Sequence, residues 1–251
     1  MTDAAWASYV QRFHDERAGI TDAVLQGASD DESPYQWALQ PVAAHGRVVD
    51  LACGSAPLHQ LLAVPVCVGI DRSPAELDLA ASSGAGPLVL ADAGSIPLAA
   101  GVAAVVVCSM SLQILQPLGP ALAEVARLLR PDGVFVALLP ASRPLSFRDR
   151  LRYARLLVAL RCRGLGYPND HALARPVSLF AEQGLEVVSD ERRRFPLAVA
   201  DASVGETFVR SLYLPGGTFK QTEAAAAVAR RWSGQEIGIP LRRIVARRRC
   251  F

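Results

Sequence analysis

Short apolar runs bounded by turn-forming residues alternate with stretches whose apolar positions recur every three to four residues, and this alternation predicts strands and helices in turn. Strands are expected at 48–50, 66–70, 87–91, 102–108, 134–139, 185–189 and 240–248, with 195–197 continuing the sixth after an irregularity. One or two helices are expected within 3–25, where Trp6, Tyr9, Val10, Phe13 and Ala18 follow the helical period. Further helices are expected at 35–39, at 58–63 ended by Pro65, after Ser73-Pro74, and at 119–129, 145–162, 176–183, 201–213 and 222–232. Ser73 as N-cap with Pro74 at the first helical position is sterically favoured. Residues 164–175 read as a loop. Such alternation builds an α/β fold, a doubly wound sheet with helices on both faces.

The strand ends carry the candidate chemistry. The first strand closes on Asp50 and breaks into Ala52, Cys53, Gly54, Ser55 and Ala56. Small side chains there admit a ligand close to the backbone, and a helix start after them would aim N–H groups at a polar or anionic group. The second strand closes on Asp71-Arg72, about 20 residues beyond that turn, where nucleoside-binding α/β domains place a carboxylate on the ribose hydroxyls. The third closes on Asp92-Ala93. Each acid alone could cap the next helix. Three in succession fit one crevice better, because open parallel sheets bind ligands outside the carboxyl ends of their strands.

The stretch Asp50-Leu51-Ala52-Cys53-Gly54-Ser55-Ala56 resembles the first motif of class I S-adenosylmethionine-dependent methyltransferases, acid-x-Gly/Ala-x-Gly-x-Gly/Ala. Ala52 and Ala56 stand where many members carry Gly. The string from Glu124 through Arg130-Pro131-Asp132-Gly133 resembles the E-x-x-R-L/V-L-K/R-P-G-G of the ubiquinone- and menaquinone-type small-molecule branch. Its part is structural: a helix, a turn and a return strand. The resemblance implies a Rossmann-like seven-stranded sheet, its last strand antiparallel and next to the edge, with helical N-terminal and C-terminal lid elements. It implies S-adenosyl-L-methionine as cofactor and S-adenosyl-L-homocysteine as product. Asp50, Ala52 and Gly54 would then lie by the methionine moiety, Asp71 and Arg72 by the ribose, Asp92 and Ala93 by the adenine, and Ser109 and Met110 beneath the sulfonium. One methyltransferase domain is expected over 1–251, with a helical cap at 1–40, a cofactor-binding core at 41–140 and substrate-side helices and last strands at 141–251.

Composition narrows the partners. The chain has 26 Lys and Arg against 24 Asp and Glu, too mild a balance to indicate nucleic acid. Its basic residues are almost all Arg, and Arg192-Arg193-Arg194 and Arg247-Arg248-Arg249 read as solvated element ends, as do the arginines of 145–162. Five scattered cysteines, Cys53, Cys67, Cys108, Cys162 and Cys250, contain no C-x-x-C, so neither a disulfide framework nor a metal site is expected. No apolar run reaches the roughly 18 residues of a membrane span, and the start lacks a signal-peptide pattern, so a cytoplasmic protein without a membrane partner is expected. A homodimer is compatible with all of this.

The fourth strand is followed by neither N/D-P-P-Y/F nor the Pro-Cys of cytosine-C5 enzymes, which favours a small-molecule acceptor, such as a secondary metabolite or quinone-like compound, over a DNA base. The wall around that acceptor draws on Tyr9, Phe13, Gln113 and Tyr213. Candidate general bases are His14 on the first helix and His171 beside Asp170, each with a structural role as its alternative. Two other readings stay open. One is a protein of the same fold that binds the cofactor without transferring a methyl. The other is an NAD-dependent oxidoreductase, although Gly54-Ser55-Ala56-Pro57 does not continue into G-x-x-G.

Overall fold

The computed structural model describes residues 2–42, 46–62 and 66–249. Three helices come first: α1 (Asp3–Glu16), α2 (Ile20–Gly27) and α3 (Pro34–Leu39). β1 (Arg47–Leu51), β2 (Val66–Asp71), α4 (Pro74–Ser82), β3 (Leu88–Leu90), β4 (Ala103–Ser109), α5 (Leu118–Leu128) and β5 (Leu129–Pro140) form the first winding. Then follow α6 (Phe147–Leu160), α7 (Asp170–Leu173), α8 (Pro176–Ala181), β6 (Leu185–Val199), α9 (Ala202–Arg210), α10 (Phe219–Arg230) and β7 (Gln235–Arg248).

The seven strands pair in the order β3-β2-β1-β4-β5-β7-β6. β1 to β5 are mutually parallel, whereas β7 runs antiparallel to both β5 and β6. This is the Rossmann-like arrangement that the sequence resemblance implies. From β1 the chain steps one way to β2 and β3 and then the other way to β4 and β5, which makes the β1/β4 junction the switch point where a crevice opens at the strand ends.

Period-two alternation assigns each strand residue to one of two cores. Val48, Val105, Val107, Val136 and Leu138 join residues of α2, α3, α6, α9 and α10 on one face. Val49, Leu51, Val106, Phe135 and Ala137 join α5, Leu173 and Phe180 on the other. A third cluster, Trp6, Val10 and Phe13 of α1 with Ile114 and Tyr213, lies beyond the end of β4. There the Trp6 indole donates to Ile114 O at 2.9 Å. α1 thus covers the end of the sheet on which the three strand-end acids converge.

Several boundaries differ from the sequence reading. Residues 58–62 make hydrogen-bonded turns in place of a helix; Ala63 and Pro65, the expected end of that helix, lie outside the described residues, as does Cys250. The left-handed Ala56 (φ 55) followed by Pro57 disrupts the start of the segment, leaving too few residues for a stable helix. The expected helix start is therefore absent from the site. β5 begins at Leu129, five residues early, and a register shift opposite Ala103/Val105, with Asp132 at φ 59, absorbs the Pro131-Asp132-Gly133 turn. Within 164–175 a single helical turn, α7, replaces part of the loop. The sixth strand is continuous through 185–199, with the irregularity at Val187/Ser189.

The first arginine cluster is paired with carboxylates. Arg192 meets Asp190, Arg193 meets Glu32, and Arg194 meets Asp149 and Glu236. Asp149, fully buried at the start of α6, also accepts the Gly238 N–H at 2.7 Å, tying that helix to β7. In the second cluster Arg248 donates to Leu129 O and Arg249 pairs with Glu186. Among the described residues no helix is long and apolar enough to cross a membrane, and no group of His, Cys, Asp and Glu is arranged to hold a metal ion.

Candidate active site

The turn after β1 adopts left-handed backbone at Ala52 (φ 53), Gly54 (φ 53) and Ala56 (φ 55). Glycine meets this requirement at no steric cost, and the two alanines meet it under strain. The turn is fixed from β2. Asp71 accepts the Gly54 N–H at 2.8 Å through one oxygen and the Ser73 N–H at 2.9 Å through the other. Burial pushes the Asp71 carboxyl up while these two N–H groups pull it back.

A pocket opens above the strand ends, lined by Ala52, Gly54, Asp71, Arg72, Asp92, Ala93, Ser109 and Met110. Asp92 is exposed and accepts the Gly94 N–H at 2.8 Å. Arg72 does not point freely inward: it donates to Gln11 Oε1 at 2.8 Å and to Ala7 O at 2.5 Å, tying α1 down. Met110 sits at φ 57 with its N–H on Leu138 O at 2.7 Å, a strained backbone directly beneath the pocket. Asp50 is not part of the lining. It is buried in the sheet beneath the turn, neither carboxyl oxygen has a hydrogen-bond partner among the described residues, and burial together with Asp71 pushes it up to about 8.

The opposite wall comes from α1 and the segment after α9. His14 Nδ1 lies 2.7 Å from Glu76 Oε1, and His14 Nε2 lies 2.8 Å from the Tyr213 hydroxyl. A carboxylate can only accept, so Nδ1 carries a proton, and in the neutral ring Nε2 then accepts from Tyr213. Glu76 is 3% exposed, and its second oxygen accepts the Gly19 N–H at 2.9 Å. The sequence reading missed Glu76, which stands three residues after the Ser73 N-cap, at capping-box spacing. The Ser73 hydroxyl does accept the Glu76 N–H, but the carboxylate turns away to His14 and Gly19. Asp22 and Ser111, also missed, line the same pocket. The signal for Asp22 was only its place in the first turn of α2.

A second cavity of about 580 Å³ adjoins the first, and Thr21, Met110 and Tyr213 line both. Its walls are mostly apolar: Leu139 and Pro140 from β5, Leu157 from α6, Phe208 from α9, and Ile239 and Leu241 from β7. Gln113 also lines it; its amide donates to Met110 O at 2.6 Å and leaves Oε1, buried, without a partner among the described residues. Phe13 stacks on Tyr213 at 4.5 Å between ring centres, and the Tyr9 hydroxyl accepts the Leu214 N–H at 2.7 Å. These two residues support Tyr213 and line neither cavity. His171 is exposed on α7 outside both, and Asp170 accepts the Tyr167 N–H at 2.8 Å.

Polar atoms left unsatisfied test whether the crevice suits a nucleoside with a charged tail. Among the described residues the buried Ser109 hydroxyl on the pocket wall has no hydrogen-bond partner, nor have the two Asp50 oxygens below. At position 54 the left-handed backbone (φ 53) is what asks for glycine, since a Cβ there would meet Glu76 Oε2 at an ordinary contact distance of 3.5 Å. Acceptors on three strand ends, a small-residue turn and a neighbouring apolar cavity match such a ligand.

Residues 49–137 match a family model described as a methyltransferase domain. No curated protein is found to match the chain. Among solved structures, one chain of the complex between the Haloferax volcanii Trm112 methyltransferase activator and a methyltransferase is 17% identical with a TM-score of 0.60, covering 96% of this chain and 98% of that one. The [4+2]-cyclase SpnF is 15% identical with a TM-score of 0.59, and 96% of each chain is covered. A SAM-dependent methyltransferase of Thermotoga maritima is 13% identical with a TM-score of 0.56, covering 95% of this chain and 99% of that one.

Proposed function

We propose that the chain, whose residues 49–137 match a methyltransferase-domain model and whose sheet is Rossmann-like, is a class I S-adenosylmethionine-dependent methyltransferase that transfers the cofactor's methyl group to a small apolar acceptor. The observation that carries the reading is the pair of adjoining spaces. A polar crevice at the strand ends shares Thr21, Met110 and Tyr213 with a mostly apolar cavity of about 580 Å³, a size suited to a small organic ligand.

In this reading Asp71 takes the ribose hydroxyls, because a carboxylate already fixed by two backbone N–H groups still has lone pairs to accept with. Asp92 and Ala93 flank the adenine, Ala52 and Gly54 border the methionine moiety, and Ser109 and Met110 floor the sulfonium. Asp50 lies buried outside the crevice. Arg72 acts by tying α1 over the crevice. The cofactor supplies an electrophilic methyl on a good leaving group. The chain's own task is to align the acceptor and exclude water, and orientation of this kind can lower a barrier by up to roughly 7–11 kcal/mol.

Calorimetric titration with S-adenosylmethionine, S-adenosylhomocysteine and NAD tests this. Saturable binding of the first two, weakened about tenfold or more by Asp71→Ala, with NAD silent, is the expected result. Folded protein that binds neither of the first two would overturn it. A second reading, cofactor binding without methyl transfer, draws support from SpnF, a [4+2]-cyclase on this fold. Methyl-labelled cofactor separates the two, since only a methyltransferase moves the label to an acceptor.

A further inference from the structure

We propose that the acceptor presents a hydroxyl to Tyr213, and that Tyr213, His14 and Glu76 form a relay that removes its proton as the oxygen is methylated. The inference rests on the methyltransferase reading and adds to it the acceptor atom and the route of the proton.

Tyr213 is placed for this by its two faces. Its ring borders the cofactor crevice and the apolar cavity together. Its hydroxyl is 2.8 Å from His14 Nε2. With Nδ1–H of the neutral ring donating to Glu76 at 2.7 Å, the phenolic proton points to Nε2; the phenol oxygen then accepts through two lone pairs, of which the Thr21 side chain takes one. An acceptor O–H in the cavity can then donate to Tyr213. The apolar walls and the unpartnered Oε1 of Gln113 suit an otherwise hydrophobic molecule with few polar groups.

The step balances. The acceptor proton passes to the Tyr213 oxygen as the phenolic proton passes to His14 Nε2. The electron pair left on the acceptor oxygen forms the new oxygen–carbon bond, and the pair of the broken methyl–sulfur bond stays on sulfur. Burial holds the Tyr213 phenol well above its ordinary range, so it hands on its proton only as it gains another and never rests as phenolate. The imidazolium formed is faced by Glu76 from α4, by Asp71 from the end of β2, and by the neutral phenol of Tyr213. Two carboxylates therefore stabilise it. The His14 side chain is 20% exposed, so its proton can return to solvent afterwards. Tyr213 is the catalytic residue here; His14 and Glu76 act through it, as the base and orienting carboxylate do in a nucleophile–base–acid triad.

Two measurements test the relay. The first needs no turnover: ¹⁵N spectra of histidine-labelled protein with S-adenosylhomocysteine, assigned by loss of the signal in His14→Gln. They are expected to show Nδ1 protonated and Nε2 bare at neutral pH. A protonated Nε2 would overturn the proposal, since it could not accept from Tyr213. The second supplies 1-naphthol, 1-naphthylamine and 1-naphthalenethiol with methyl-labelled cofactor. Label is expected in the naphthol ether, falling about 10²-fold or more in Tyr213→Phe and His14→Ala. Partial recovery of His14→Ala by added imidazole is expected, which a merely structural role would not produce. Label only in the amine or thiol, undiminished ether formation in Tyr213→Phe, or no label in any of the three would overturn it. Calorimetry with S-adenosylhomocysteine separates this failure from failure of the methyltransferase reading, because the latter predicts binding whatever the relay does.

Discussion

Buried Glu76 accepts the backbone N–H of Gly19 at 2.9 Å. Gly19 stands at φ 75 between α1 and α2, so a single carboxylate on α4 holds the joint between the two helices that roof the crevice. Its other oxygen takes His14 near the end of α1. Without Glu76, both the Gly19 amide and the His14 ring lose their partner. An unsatisfied buried donor costs about 1–3 kcal/mol. Glu76→Ala is therefore expected to loosen α1 more than the sheet. Hydrogen exchange should quicken across residues 3–20 with β1 and β4 unchanged, and S-adenosylhomocysteine should dissociate about tenfold faster. Unchanged exchange in α1 would show that Arg72 and Trp6 alone hold the roof.

How much of this the chain announced in advance depends on the range of the interaction. Asp71 and Asp92 could be picked out because strand ends are local features: an apolar run, an acid, then a turn. The sheet order followed from resemblance, since no periodicity says which strand neighbours which. The Tyr213–His14 contact spans 199 residues and leaves no mark on any local pattern. Glu76 was hidden in the same way, its partners His14 and Gly19 lying 62 and 57 residues away. The helix expected at 58–63 failed because its apolar positions fit the period while Ala56 and Pro57 spoiled its start. Arg193 and Arg194 read as solvated because sequence shows their charge but not the facing carboxylates of Glu32, Asp149 and Glu236.

Ala52 carries strain that the turn imposes. At φ 53 its Cβ crowds the backbone, at about 1–2 kcal/mol relative to a relaxed conformation. It is only half-buried, so little packing is lost with the methyl. Ala52→Gly is expected to stabilise the fold by about 0.5–1 kcal/mol in urea melts, the relief being offset in part by the greater freedom of glycine in the unfolded chain. Cofactor affinity should hold or rise. Destabilisation by Ala52→Gly would mean that the turn relaxes its left-handed backbone in solution.

Asp50 makes stability depend on pH in the opposite sense to a salt-bridged acid. Burial and the neighbouring Asp71 push its carboxyl up to about 8, against about 3.9 in an unfolded chain. Below pH 4 both states hold the proton and the buried group is neutral, so its contribution is at its best. Between about 4 and 8 the unfolded chain gives up that proton while the folded one keeps it. Unfolding then releases a proton, and stability falls with pH by at most about 1.4 kcal/mol per unit. Above about 8 both states are ionised and the loss is complete. Asp50→Asn keeps the shape without the titration. Its stability relative to wild type should therefore climb steadily from pH 5 to pH 8 in denaturant melts of the unliganded protein. A difference that stays flat over that range would mean that Asp50 is ionised in the folded sheet, and that its two unpartnered oxygens find a cation or donor there.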